Sequence, residues 1–244
     1  APWKKITDFI RAAGSTSGIQ LAHAGRKGSA HRPISGTGSV PVDQGGWETY
    51  SATSEAFEGL AAPRELRADE LGQLVADFAA AAKRAKTAGF DLVEIHAAHG
   101  YLLHQFLSPI TNKRTDQYGG TLANRARLLL EIVAAVRQAV GDQMPVLVRF
   151  SATDYVADGW DQTQTNEVAG WCKEQGADLF DLSSGGLITG VKIPTGPGYQ
   201  VDFAKSTKTA THAEVAAVGQ ITNSEQAEQI LQDGLVDVVL VGRE

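Results

Sequence analysis

Three segments of the chain are spelled alike where a helical period gives way to an apolar run: Ala88-Gly89-Phe90-Asp91, Gln175-Gly176-Ala177-Asp178 and Asp233-Gly234-Leu235-Val236-Asp237. A glycine there can take the left-handed position after a helix and release the chain into a strand. One helix-to-strand junction is thus used three times, and it constrains the fold to repeated α/β units. The apolar runs Gly18-Leu21, Asp91-Ile95, Val146-Phe150, Asp178-Leu182, Glu214-Val218 and Asp237-Val241 are six expected strands. Between them, Lys4-Ala13, Ala68-Ala88, Leu122-Val140, Gln164-Gln175 and Ser224-Asp233 carry apolar residues at helical spacing, and Val201-Ala210 does so more weakly.

Alternating strands and helices imply parallel pairing with right-handed crossovers, which leaves a (β/α)8 barrel or an open doubly wound sheet. Gly25-Arg26-Lys27-Gly28 does not spell the glycine fingerprint of the doubly wound nucleotide fold, so the expected class is α/β, a TIM barrel. Functional groups of such barrels gather at the C-terminal ends of the strands. Here those ends carry Gln20 and His23, then His96, His99 and Tyr101, then Arg149, Gly219, Gly242 and Arg243, a set expected to converge on one mouth. The long aperiodic stretch over residues 26–66 reads as a lid or hairpin inserted over it.

Composition removes several alternatives. The 22 Lys+Arg against 28 Asp+Glu leave a net charge of −6, opposed to nucleic-acid binding. No window reaches the roughly 18 apolar residues of a membrane span. Cys172 is the sole cysteine and cannot pair within the chain, so nothing asks for an oxidising compartment and a cytoplasmic setting is expected. The only methionine is Met144, and the sequence is expected to lie within a longer gene product.

The densest polar constellation is Ile95-His96-Ala97-Ala98-His99-Gly100-Tyr101-Leu102, directly after an expected strand. It can be read as a strand end with two surface histidines, or as a metal site with His104 as a third ligand; Ala97 stands where a zincin would need Glu, and no metal is expected. Two imidazoles beside a phenol suit gripping a carbonyl oxygen while an O–H protonates carbon. In the run Ser108 to Arg127, Gly119-Gly120 supplies a turn, Thr121 can cap the next helix, and Arg114, Asp116, Arg125 and Arg127 read as ties between loop and helix.

Together these runs resemble the Old Yellow Enzyme family of FMN-dependent ene-reductases. Gln20-Leu21-Ala22-His23-Ala24-Gly25-Arg26-Lys27 resembles the family's third strand, His96-Ala97-Ala98-His99-Gly100-Tyr101 its fourth, and Asn112 to Arg127 its signature loop. Val148-Arg149-Phe150-Ser151, Asp181-Leu182-Ser183-Ser184-Gly185, Val218-Gly219-Gln220-Ile221 and Val241-Gly242-Arg243-Glu244 resemble the fifth to eighth strands. The Ala22-His23-Ala24-Gly25-Arg26-Lys27 and Gly198-Tyr199-Gln200-Val201 wording is most similar to the bacterial xenobiotic-reductase and thermophilic-like branch.

The resemblance implies that Gln20 meets the flavin pyrimidine edge, that Arg149 lies near N1 and O2, and that Gly219, Gly242 and Arg243 hold the FMN phosphate. It implies His96 and His99 as the carbonyl clamp and Tyr101 as proton donor. The reaction implied is reduction of FMN by NADPH or NADH, then hydride transfer to the β-carbon of an activated alkene with protonation of the α-carbon. His23 remains open between a satisfied strand-end group and a functional one. Six strands against the barrel's eight make 1–244 an incomplete single domain carrying strands three to eight. A noncatalytic flavin-binding fragment and a metal-dependent barrel hydrolase through His96, His99 and His104 stand as competing readings. Related dienoyl-CoA reductases need an iron–sulfur cluster that one cysteine cannot ligate. The natural alkene and the oligomeric state stay open, a homo-oligomer being compatible.

Overall fold

A computed structural model of the chain describes residues 2–32 and 34–242. Six strands, β1 (Gly18–Leu21), β4 (Leu92–Ala97), β5 (Val146–Ser151), β6 (Leu179–Ser183), β7 (Glu214–Ala217) and β8 (Val238–Val239), form one sheet in the order β1-β4-β5-β6-β7-β8, every pair parallel. The helices between them are α2 (Ala68–Thr87), α3 (Leu102–Leu107), α4 (Leu122–Val140), α5 (Gln162–Glu174), α6 (Val201–Thr211) and α7 (Ser224–Gln232); α1 (Pro2–Ala12) precedes β1. This is the strand order of a (β/α) barrel. The glycines of the three repeated junctions all adopt the left-handed region, with φ of +89° at Gly89, +99° at Gly176 and +66° at Gly234.

Each strand presents two unlike faces. Val93, Ile95, Val148, Phe150, Phe180, Leu182, Val215 and Ala217 point out under the helices and are fully buried; each large side chain so buried contributes roughly 1.5–3 kcal/mol. The alternate residues point inward. A single cavity of about 630 Å³ is lined by residues of all six strands, Gln20 of β1 and Val238 of β8 among them, so the sheet curls into an arc around a lumen. Register places two transverse rows on that inner face: Gln20, Glu94, Leu147, Leu179 and Glu214, then nearer the C-terminal ends His96, Arg149, Asp181, Ala216 and Val238.

Two expectations change. The last strand, expected over Asp237-Val241, pairs only at Val238 and Val239, because among the described residues it has one neighbour. Leu102–Leu107 is a helix that the apolar periodicity does not reveal, since all six residues are buried and it has no polar face. Within residues 26–66, β2 (Tyr50–Ser51) and β3 (Arg64–Glu65) pair parallel and Ala30 bridges Ser39 antiparallel. This segment is tied to the sheet end through Arg26, whose guanidinium donates to the Leu187 carbonyl at 3.0 Å, and through Arg114, which donates to the carbonyls of Ala52 and Leu66. No helix among the described residues is long and apolar enough to cross a membrane.

Candidate active site

Strand β4 ends in His96-Ala97, and the chain then turns sharply at His99 (φ +57°) and Gly100 (φ +70°) into α3. A non-glycine residue in the left-handed region is strained unless its surroundings hold it. Here three tethers do so. The His99 N–H donates to Ser151 Oγ at 2.9 Å, its carbonyl accepts from Lys27 Nζ at 2.9 Å, and its Nε2 lies 2.7 Å from Ser183 Oγ. A Cβ on Gly100 would lie 2.4 Å from the Gly186 carbonyl oxygen, so only glycine fits the turn.

The turn gathers three rings. The His96 ring centre stands 5.2 Å from that of His99 and 5.2 Å from that of Tyr101. Burial, then the Arg149 cation and His104, lowers the His96 pKa to about 4; burial and Arg149, with His96, His104 and Lys27 adding, lower His99 to about 3. Both imidazoles are therefore neutral at pH 7, each carrying one N–H, and His99 Nε2 is engaged by Ser183 Oγ. His96 Nδ1 is buried with no hydrogen-bond partner among the described residues. An orphaned polar atom beside an open mouth is what a ligand-binding group looks like before its ligand arrives.

His104 is not part of this cluster. It is fully buried, its Nδ1 accepts from the Gly100 N–H at 2.9 Å, and its Nε2 lies 2.9 Å from Asp154 Oδ1. Both ring nitrogens thus face partners within the protein, and the ring serves the fold. Among the described residues no three His, Cys, Asp or Glu side chains are arranged to hold a metal ion. His23 is also occupied locally, its Nδ1 accepting from the Gly25 N–H at 3.0 Å. Cys172 is buried, and burial pushes its thiol pKa up.

Beside the ring cluster lies a second cavity, of about 440 Å³, lined by Arg149, Ser183, Tyr199, Gln200, Gly219 and Gly242 among others. Gly219 has φ +121°, and a Cβ there would sit 2.9 Å from Gln200 Nε2 and from the Tyr199 ring; nothing lies within 4 Å of where a Cβ of Gly242 would be. The cavity thus offers open backbone at Gly242, the close-packed backbone of buried Gly219 and one guanidinium, a donor set suited to a phosphorylated, partly anionic group. FMN fits this arrangement. Gln20 lies apart from it: its amide donates to Glu94 in the row below His96 and Arg149. Arg243 falls outside the described residues. Gln200, Ser183 and Ser184 line or support the cavity without having been singled out for it in the sequence, Ser184 Oγ donating to Gln200 Oε1 at 2.6 Å and Gln200 Nε2 to the Val218 carbonyl at 3.1 Å.

The signature loop is structural in detail. Arg114 pairs with Asp116, Arg125 donates to the Leu107 and Gly120 carbonyls at 2.7 Å each, Arg127 donates to the Gln117 carbonyl at 2.8 Å, and Thr121 Oγ1 accepts from the Asn124 N–H at 3.3 Å.

Residues 1–244 match the NADH:flavin oxidoreductase / NADH oxidase family. The chain is 45% identical over 240 residues to an NADPH dehydrogenase of Bacillus subtilis, covering 98% of this chain and 66% of that protein. It is 43% identical over 261 residues to an NADH:flavin oxidoreductase of Gibberella zeae, covering 99% and 63%. It thus spans about two thirds of the length of the curated relatives it matches. Among solved structures it resembles a 2-naphthoyl-CoA reductase complex at 29% identity and TM-score 0.85, covering 97% of this chain and 37% of the other. It resembles morphinone reductase at 28% identity and TM-score 0.78, covering 97% and 64%. With the whole chain matched and the fold shared, this protein belongs to the NADH:flavin oxidoreductase / NADH oxidase family.

Proposed function

We propose that the chain carries the active site of an FMN-dependent ene-reductase, which uses NADPH or NADH to reduce the C=C bond of an α,β-unsaturated carbonyl compound or similarly activated alkene. The observation that carries this reading is the cluster of His96, His99 and Tyr101 at a strand end, two neutral imidazoles and a phenol next to Arg149. When bound, FMN supplies the hydride, taken from NAD(P)H and passed to the alkene.

The residues do the rest. His96 and His99 each give an N–H to the substrate carbonyl oxygen, so that negative charge developing there meets fixed donors. Neutrality helps, because a neutral imidazole donates without surrendering its proton to an enolate. Tyr101 holds the proton destined for the α-carbon. Arg149 stabilises negative charge at the flavin pyrimidine edge, and Gln20 would meet that edge only on leaving Glu94. Gly219, Gly242 and Arg243 hold the phosphate. Residues 26–66 close over the mouth as a lid. The NAD(P)H requirement suits a cytoplasmic enzyme, and a homo-oligomer is part of the same reading.

The test is a reconstitution. The chain mixed with FMN should quench and red-shift the flavin spectrum, and should oxidise NADPH faster when cyclohexenone is added. Tyr101→Phe should lower the enone-dependent rate by roughly 10²–10⁴ while phenol binding persists. Flavin bound without enone turnover would favour a noncatalytic flavin carrier, and no flavin binding would overturn the reading.

A further inference from the structure

Behind the ring cluster, inside the lumen, sits a carboxylate that neither the clamp nor the phosphate cradle uses. Asp181 is 1% exposed. It stands in the same transverse row as His96 and Arg149, one strand beyond Arg149, so all three project from neighbouring strands onto the inner face at one height. Its Oδ2 lies 2.8 Å from Arg149 Nε. No backbone N–H or hydroxyl reaches it, and neither oxygen makes a hydrogen bond among the described residues, so the ion-pair contact with Arg149 is what meets it. Arg149 is thus held at one edge only, and no group among the described residues accepts from its Nη atoms. The guanidinium lines the mouth cavity, whereas Asp181 lines the lumen cavity behind it.

We propose that Asp181 is a positioning residue for Arg149: it grips the guanidinium by the Nε edge from inside the barrel, leaves the Nη edge to the mouth, and by its own charge sets how strongly that cation draws negative charge there. The inference rests on the flavin reading above and concerns the strength of the Arg149 cation, not its presence. A carboxylate and a guanidinium in contact partly cancel at a distance, and the cancellation ends when the carboxylate is protonated. The groups facing Asp181 are Arg149 on β5, Glu94 and His96 on β4, with Gln20 bonded to Glu94, and Ala216 and Val238 on the far side; Asp178 and Glu214 line the lumen at its other end. Burial raises the Asp181 pKa to about 7; Arg149 opposes the rise and Glu94 adds to it. Its charge therefore changes in the range where the chain would work.

The experiment compares the parent with Asp181→Asn, which keeps an acceptor for Nε and removes the charge, and with Asp181→Leu, which removes both. Sulfite titrated into the FMN-loaded chain reports the positive field at the flavin, because its addition leaves the flavin anionic. Asp181→Asn should bind sulfite about 10-fold more tightly than the parent at about pH 8.5, and equally at about pH 5.5 where the parent carboxyl is protonated. FMN affinity, read by fluorescence, should fall about 10-fold in Asp181→Leu and stay near the parent value in Asp181→Asn. Urea unfolding, which needs no flavin, should show the midpoint of Asp181→Asn rising relative to the parent across the same pH range, since ionising a carboxyl with a raised pKa costs stability. A sulfite ratio that is flat with pH, or FMN affinity equal in all three proteins, would overturn the proposal. A parent that binds no FMN would instead overturn the functional reading on which it stands.

Discussion

Asp154 and Asp181 are buried to the same degree, at 2% and 1% exposure, and their environments shift their pKa values in opposite directions. Asp154 Oδ2 accepts from Ser108 Oγ at 2.6 Å and from the Trp160 N–H at 2.8 Å, while Oδ1 lies 2.9 Å from His104 Nε2. Burial alone would raise its pKa, but these contacts outweigh burial and hold it below the ordinary carboxylate range. Asp181, with Arg149 alone, is raised to about 7. Donor count, not depth, decides the sign. Where α3 meets the loop after β5, Asp154 is met from three sides, by Ser108, the Trp160 N–H and His104, and serves the fold. At the mouth and in the lumen, His96 Nδ1 and Asp181 Oδ1 are unanswered, and those are the groups that a ligand or a proton can change.

The harshest test of that division is Asp154→Ala. Removing the carboxylate leaves His104, Ser108 and the Trp160 N–H without their acceptor, and should cost about 3–5 kcal/mol in urea unfolding. Because the folded pKa of Asp154 is depressed, its contribution is present above the unfolded value of about 4 and fades as pH falls below it. A loss under about 1 kcal/mol would erase the contrast with Asp181.

His96→Ala and His99→Ala come next and should behave in the reverse manner. Unfolding midpoints should shift little for His96, whose Nδ1 gives up no bond, whereas the enone-dependent rate should fall by roughly 10²–10³ for either variant. Stopped-flow reoxidation by an enone at the parental rate would place the carbonyl donors elsewhere. Both imidazoles have depressed pKa values, about 4 and about 3, so phenol binding should be independent of pH between about 5.5 and 8 as far as these rings are concerned.

Gly219→Ala sharpens the same contrast at the backbone. Its φ of +121° and the 2.9 Å approach to Gln200 Nε2 make a side chain there strained, at about 1–3 kcal/mol, and FMN affinity should weaken in a fluorescence titration. The smallest effect is expected at Thr121→Ala, a satisfied cap far from the mouth, which should cost about 1 kcal/mol and leave flavin binding unchanged.

Most of the fold is legible along the chain, because each junction glycine and each apolar run is a local signal. The helix Leu102–Leu107 is not, since a short helix buried on every side has no periodicity to read. The ring cluster is legible because His96, His99 and Tyr101 are sequence neighbours. Asp181 and Gln200 are not, since their meaning depends on strand register and on where α6 begins. Gln200 reaches the mouth only because α6 starts against the ends of β6 and β7, where its amide meets Ser184 and the Val218 carbonyl. His104 shows the converse: three histidines within nine residues suggest one site, yet the helical turn of α3 sends the third toward Asp154.

Lys27 gives the left-handed turn at His99 a thermodynamic consequence. Its ammonium is bonded to the His99 carbonyl and to Gly186, and stands 4.3 Å from the centre of the Phe57 ring, so the segment after β1 and the turn after β4 share one cation. Undocking the segment, and Lys27 with it, would remove one of the three tethers that keep His99 in its strained conformation. Docking of residues 26–66 and ordering of the His99 ring are therefore two coordinates of one equilibrium. Whatever tightens around that imidazole must raise the population of the docked segment by the same factor, and any substitution that loosens the segment must weaken the imidazole's ligand in equal measure.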